Sequence, residues 1–303
     1  MRILVAVDLA DPLLDLDACL DRAAPWAARV GGQVDLFFAH LQEPPPFPAD
    51  LPSDVSGLLD VAWARLDDQY RHRLDQALHR LPEAARGRAR VERGDPWGRL
   101  LAVGKDYDLV VLTTHGRSGV ERAWFGSMTE HFIARSPVPT LVLHPTPATA
   151  APAGPLRALI GLDLREDLGA QWRVALPWLT RLGEIQADAL FSQADPVWPL
   201  GWESSALSTR ITADWLELLR VHQDRLYASM LDHLPAGHRG GAIVRGGDPA
   251  AELVLLSADY DLVVVGTHRR TGFDHLWSGS VSERVVRRAS GAVLVIPGGH
   301  DGA

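Results

Sequence analysis

Asp106-Tyr107-Asp108-Leu109-Val110-Val111-Leu112-Thr113-Thr114-His115-Gly116 has a near copy in Asp259-Tyr260-Asp261-Leu262-Val263-Val264-Val265-Gly266-Thr267-His268-Arg269, 153 residues further on. Each stretch holds a short apolar run bounded by polar and turn-forming residues, the pattern of a strand buried on both faces. The same offset relates Gly94-Asp95-Pro96 to Gly247-Asp248-Pro249, and Gly126-Ser127 to Gly279-Ser280. A period this long exceeds any solenoid repeat, so the chain carries a duplicated domain. Its 303 residues agree, being twice a usual domain length of about 150. Pro145 to Pro155 contains four prolines and no large apolar residue, which suits a semi-rigid extended linker. The expected organisation is therefore a domain over 1–146, a Pro/Ala linker over 147–155 and a second domain over 156–303.

Within the first half, strand-like apolar runs occupy Ile3 to Val7, Val34 to Ala39, Leu109 to Leu112 and Thr140 to Leu143, with Ala89 to Val91 a weaker candidate. Helices fit the intervals. From Val55 to Leu81, Leu59, Ala62, Trp63, Leu66, Tyr70, Leu74, Ala77, Leu78 and Leu81 recur at three- and four-residue steps, a stripe that reads as core packing. Asp95-Pro96 and Asp248-Pro249 each place an N-cap acid before a proline at the first helical position. Strands alternating with helices imply right-handed crossovers and a parallel sheet covered on both faces. Ligands of such sheets sit beyond the carboxyl ends of the strands where the winding reverses. With the first strand central and the fourth beside it, Asp8 meets the segment after Leu112, and Asp163 the segment after Val265.

Composition excludes several functions. Thirty Lys+Arg against 38 Asp+Glu give a net charge of -8, which offers no broad footprint for nucleic acid. One cysteine, Cys19, makes neither an internal disulfide nor a thiolate-rich zinc site, and a cytoplasmic location fits best. The apolar opening ends at Asp8, too early for a signal sequence, and no later run reaches the about 18 apolar residues of a membrane span. Lys105, the only lysine, lacks the flanking residues of a Walker A loop. Asp8 has no neighbours in sequence that would make it one of an acid/base set, and His268 with His275 lacks a nearby cysteine to complete a zinc site. His72 and His79 read as solvated helix positions.

After the fourth strand, the halves read Thr113-Thr114-His115-Gly116-Arg117-Ser118-Gly119, six residues, Gly126-Ser127, and Gly266-Thr267-His268-Arg269-Arg270-Thr271-Gly272, six residues, Gly279-Ser280. Glycine lets a backbone approach a phosphate closely, and the helix opening at each Gly-Ser favours anions at its N-terminus. Ser127-Met128-Thr129-Glu130 and Ser280-Val281-Ser282-Glu283 also read as capping boxes, which satisfy the helix ends without a ligand. Both readings are compatible. The chain resembles the universal stress protein family, whose ATP-binding members carry Gly-x2-Gly-x9-Gly-(Ser/Thr) at this place. The likeness covers both halves, including Asp8 and Asp163 after the opening strands.

The resemblance implies an α/β fold: two doubly wound five-stranded parallel-sheet domains, strand order 3-2-1-4-5, in tandem as an internal pseudo-dimer through the fifth strands, with a further homodimer open. It implies a stress-response module that binds adenine nucleotide, ATP or AMP, with Mg²⁺ or Mn²⁺ as phosphate counter-ion, and no nucleic-acid or membrane partner. Asp8 and Asp163 would contact the adenosine portion, with the backbone near Leu41 and Ala194. His115, Gly116, Gly126, Ser127, Met128 and Thr129 would surround the phosphates in the first half. Gly266, His268, Gly279, Ser280, Val281 and Ser282 are their counterparts. The motif is imperfect in both halves. Thr113 replaces the leading glycine of the first, Arg269 the middle glycine of the second, and neither half has the Asp-x-Ser of family ATP binders. The first half is the expected nucleotide site. Slow metal-dependent ATP hydrolysis and a nucleotide-independent scaffold with decayed sites are the alternatives. Trp124 and Trp277, just before each Gly-Ser, read as packing residues.

Overall fold

A computed structural model describes residues 1–9, 15–41, 53–113, 127–146, 149, 151–163, 168–193, 210, 223–267 and 281–297. The chain divides into two compact units, centred on Met1–Pro152 and Ala153–Val293.

The first unit runs β1 (Arg2–Ala6), α1 (Leu16–Arg29), β2 (Gln33–His40), α2 (Ser53–Leu78), β3 (Arg86–Arg93), α3 (Pro96–Gly104), β4 (Leu109–Thr113), α4 (Ser127–Arg135) and β5 (Thr140–Leu143). β1 lies between β2 and β4, pairing in parallel with both: Ile3 is opposite Val34 on one side and Leu109 on the other. β3 pairs with β2, and β5 with β4, also in parallel. The order is thus β3-β2-β1-β4-β5, the doubly wound arrangement expected. β1, β4 and β5 are almost wholly buried apolar strands, which is why each reads as a continuous apolar run rather than an alternation.

The second unit repeats the plan with β6 (Leu156–Gly161), α5 (Leu168–Arg181), β7 (Ile185–Gln193), α6 (Gln223–Leu231), β8 (Arg239–Gly246), α7 (Pro249–Leu256), β9 (Leu262–Thr267), α8 (Val281–Arg288) and β10 (Ala292–Pro297). β6 pairs in parallel with β7 and β9, β7 with β8, and β10 lies next to β9. Both Gly-Asp-Pro turns form as read. Asp95 accepts from Gly98 N at 3.0 Å and Asp248 from Ala251 N at 2.9 Å, each capping the following helix. Gly94 and Gly247 take φ of 125° and 129°, which a side chain would disfavour, so the glycine before each cap is required.

Two expectations are modified. The apolar stripe of α2 is buried only in its second half: Leu74, Ala77 and Leu78 are buried, Leu59 and Trp63 half-buried and Ala62 exposed. Twenty-six helical residues span about 39 Å, whereas the eight-residue strand beneath spans about 26 Å, so the helix outruns the sheet. The linker is also less free than its prolines suggest. Thr149 is fully buried, its carbonyl accepts from Trp26 Nε1 at 2.8 Å, and Arg29 donates to the Pro152 carbonyl at 2.6 Å. Both donors belong to α1, so Thr149 and Pro152 are pinned to the first unit.

Candidate functional site

In each unit the winding reverses at the central strand, and of the residues expected to bind ligand, Asp8, Leu41, Asp163 and Gly266 are described at the carboxyl ends of the strands. In the first unit Val7 N donates to Phe37 O at 2.9 Å, carrying the β1–β2 pairing to the strand end, and Asp8 follows with its side chain exposed. Leu41 projects from the end of β2, 53% exposed. Thr113 ends β4, buried, and leads into the glycine-rich segment. His115, Gly116 and Gly126 lie outside the described residues. Ser127, Met128 and Thr129 form the opening turn of α4, so a helix N-terminus follows the glycine segment as read. Beneath Thr113 sits the buried Cys19 thiol. Burial pushes its pKa up, against the opposing effect of the Arg22 guanidinium, which donates to the sulfur at 3.5 Å.

In the second unit, Asp163 is half-buried after β6. Its backbone is held twice by Gln171 of α5: Asp163 N donates to the amide oxygen at 3.1 Å, and the amide nitrogen donates to Asp163 O at 2.8 Å. Gly266 is exposed near the end of β9, and a Cβ built there meets nothing within 4 Å among the described residues. Ser282 Oγ donates to Gly266 O at 2.6 Å, fastening the first turn of α8 directly to the strand end, while Val281 is 37% exposed. Glu283, buried, pairs with Arg287 at 3.0 Å. His268, Gly279, Ser280 and Ala194 lie outside the described residues, as do Trp124 and Trp277.

The first unit also holds a cluster that the sequence reading passed over. His40, the last residue of β2, is 8% exposed. Its Nε2 lies 2.8 Å from Asp67 Oδ1 of α2, and Asp67 Oδ2 accepts from Arg93 Nε of β3 at 2.7 Å and from Arg93 Nη2 at 2.6 Å. Partial burial works against the Asp67 carboxylate, but the hydrogen bonds from Arg93 and His40 outweigh it and hold its pKa below the ordinary value. The imidazole packs against Phe38 and Trp63 in stacked fashion, centroids 5.8 Å away in each case, and against Tyr70 at 5.5 Å. The three polar residues are spaced 27 and 26 positions apart on three elements, so no local pattern announces them.

Among the described residues no group of three or more His, Cys, Asp or Glu side chains could hold a metal ion, and no helix is long and apolar enough to cross a membrane.

Comparison with known proteins agrees with this layout. The universal stress protein family profile matches residues 1–144 and 201–297. The chain belongs to the universal stress protein family. A universal stress protein of Mycobacterium tuberculosis is 25% identical over 312 residues, covering 93% of this chain and 92% of its own length. A second from the same organism is 28% identical over 201 residues, covering 66% of this chain and 65% of its own length. Among solved structures, a functionally unknown protein from Pseudomonas aeruginosa superposes with a TM-score of 0.58 at 16% identity, covering 98% of this chain and 92% of that one. A universal stress protein from Archaeoglobus fulgidus gives 0.57 at 14%, covering 99% and 97%. These likenesses bear on the fold.

Proposed function

We propose that the chain is a nucleotide-responsive binding module of the cytoplasm whose first unit takes adenine nucleotide, ATP or AMP, at the crevice between the ends of β1 and β4. The observation that carries this reading is the route of the chain there. β4 ends at Thr113 beside the β1 end that bears Asp8, and after the glycine-rich segment α4 opens at Ser127. Asp8 and the Leu41 backbone would face the adenosine, and the glycine segment with Ser127, Met128 and Thr129 the phosphates, where unpaired N–H groups favour anions. Mg²⁺ or Mn²⁺ would enter as counter-ion on the phosphate oxygens. Asp163, Gly266, Val281 and Ser282 would serve a second, weaker crevice. The duplicated domains would span 1–146 and 156–303, joined by 147–155, and associate through their fifth strands as a pseudo-dimer, which would cover two sheet edges. Isothermal titration with ATP tests the binding, and Ser127→Ala with Gly126→Ala should weaken it.

One observation favours a scaffold reading for the first unit: Thr113 is buried where its counterpart Gly266 stands exposed. Thr113→Gly separates the two. A gain in ATP affinity would mark a living site narrowed by the side chain, and no binding before or after it would mark a scaffold.

A further inference from the structure

Leu41 follows His40 directly, and both the main chain and the imidazole of His40 bear on it. The peptide joining them is planar, so fixing the His40 carbonyl also fixes the direction of the Leu41 N–H. That carbonyl accepts from Gly94 N at 2.9 Å, at the turn whose glycine takes a φ of 125°. The next peptide is approached by the imidazole itself, whose Nδ1 lies 3.4 Å from Leu41 O. The imidazole is in turn pinned by Asp67, which Arg93 grips with two nitrogens, and by the rings of Phe38, Trp63 and Tyr70. A side chain that is 8% exposed and held on so many sides has little rotational freedom to lose when a ligand binds.

The duplication supplies a comparison within the chain. At the offset of 153, Gln193 stands for His40 and Gly246 for Arg93. Neither replacement can reproduce the arrangement: a glutamine has no ring to stack, and a glycine has no guanidinium to grip a carboxylate. The second unit keeps the Gly-Asp-Pro turn and the strand order, so the anchor is an addition to the first unit and not a requirement of the fold.

We infer that His40, anchored by Asp67 and Arg93, is a positioning residue that sets the Leu41 main chain to read the base edge of a nucleotide, giving the first unit a base preference. An N–H and a C=O held at adjacent positions match a ring edge that presents an acceptor beside an amino group, and mismatch a 6-oxopurine edge, where the order is reversed. This rests on the nucleotide reading above.

Photolabelling with 8-azido-ATP, followed by mapping of labelled peptides within residues 1–152, tests it, with ATP and inosine triphosphate as competitors. In the unaltered protein ATP should compete better than inosine triphosphate for first-unit labelling. In His40→Gln, which copies the second unit, that preference should shrink by about tenfold, the scale of one misplaced hydrogen bond in a site. Asp67→Asn should shift it the same way, and Arg93→Lys should retain part of it; melting curves of each variant show whether it is folded. A purely structural cluster would lower melting temperature without moving the base preference. An unchanged ratio of the two competitors in folded His40→Gln and Asp67→Asn overturns the inference while leaving nucleotide binding intact. Absence of any first-unit labelling that ATP displaces removes the nucleotide reading, and the inference with it.

Discussion

The Tyr107 hydroxyl donates to Asp35 Oδ2 at 2.6 Å, across the sheet from the candidate crevice, and Tyr260 donates to Asp188 at the same distance in the second unit. Asp35 is a buried carboxylate inside β2, 6% exposed. Its Oδ1 accepts from Arg88 N at 2.8 Å, and Arg2, whose guanidinium lies 4.4 Å from the Tyr107 ring centroid, reaches Oδ2 at 3.4 Å. In the second unit Gly241 N donates to Asp188, and Arg157 sits 4.9 Å from the Tyr260 ring centroid. One carboxylate thus links three neighbouring strands' amino ends to the tyrosine before the fourth strand, and the duplication kept every member.

Removing the charge should cost more than removing the hydroxyl. Asp35→Asn turns an amide N–H₂ toward groups that already donate, leaving buried donors unpaired at a cost of about 1–3 kcal/mol. Tyr107→Phe loses one hydrogen bond and leaves the carboxylate its other donors, about 1 kcal/mol. Urea unfolding of both variants should rank them in that order, and Tyr260→Phe should match Tyr107→Phe.

Gly87 and Gly240 allow this clasp to close. A Cβ at Gly87 would overlap Asp35 Oδ1 and lie 2.6 Å from the Val34 carbonyl oxygen; at Gly240 it would overlap Asp188 Oδ1 and lie 2.8 Å from the Ala187 carbonyl oxygen. Gly87→Ala should therefore destabilise by about 2 kcal/mol or more, whereas Gly57→Ala, with open space around it, should not, as thermal melting of the two would show.

The second tyrosine makes an alkaline prediction. Burial first, and then the Asp188 carboxylate, push its pKa to about 12 from an ordinary 10.0. A raised pKa in the folded state means that the neutral form is favoured by folding. The stabilisation is then complete below 10.0 and is lost as pH rises toward 12. Tyr260→Phe should narrow the stability difference between pH 9 and pH 11 relative to the parent, read by denaturant midpoints about these values.

Asp67 behaves in the opposite direction. Its pKa is lowered from 3.8, so its contribution is present above that value and disappears as pH falls through the lower folded-state pKa. The stability gap between the parent and Asp67→Asn should hold at neutral pH and close in acid below 3.8, as acid titration followed by circular dichroism would reveal.

How much of this was legible in the sequence depends on whether a feature is local. Strands β4 and β9, the glycine turns and their caps are contiguous, and the 153-residue repeat displayed each of them twice. Asp35 sits in an apolar run, Val34-Asp35-Leu36, and its one visible signal was recurrence as Ala187-Asp188-Ala189. Its partner Tyr107 lay in the most obvious repeat without hinting at what it touches, since a contact 72 residues away leaves no periodicity. The His40–Asp67–Arg93 cluster escaped for the same reason. Its geometry comes from crossovers that bring helix and strand ends together, and neither residue spacing nor composition encodes that. The incompletely buried first half of the α2 stripe shows a further limit, because a stripe records which face is apolar and not how far the sheet beneath it extends.

Identification of the small molecules released on denaturing freshly purified protein tests the central claim of nucleotide binding most directly. ATP or AMP recovered at about one per chain, with a rise in melting temperature on adding ATP to stripped protein, is the expected result. No recovered nucleotide and no thermal shift with ATP would contradict it.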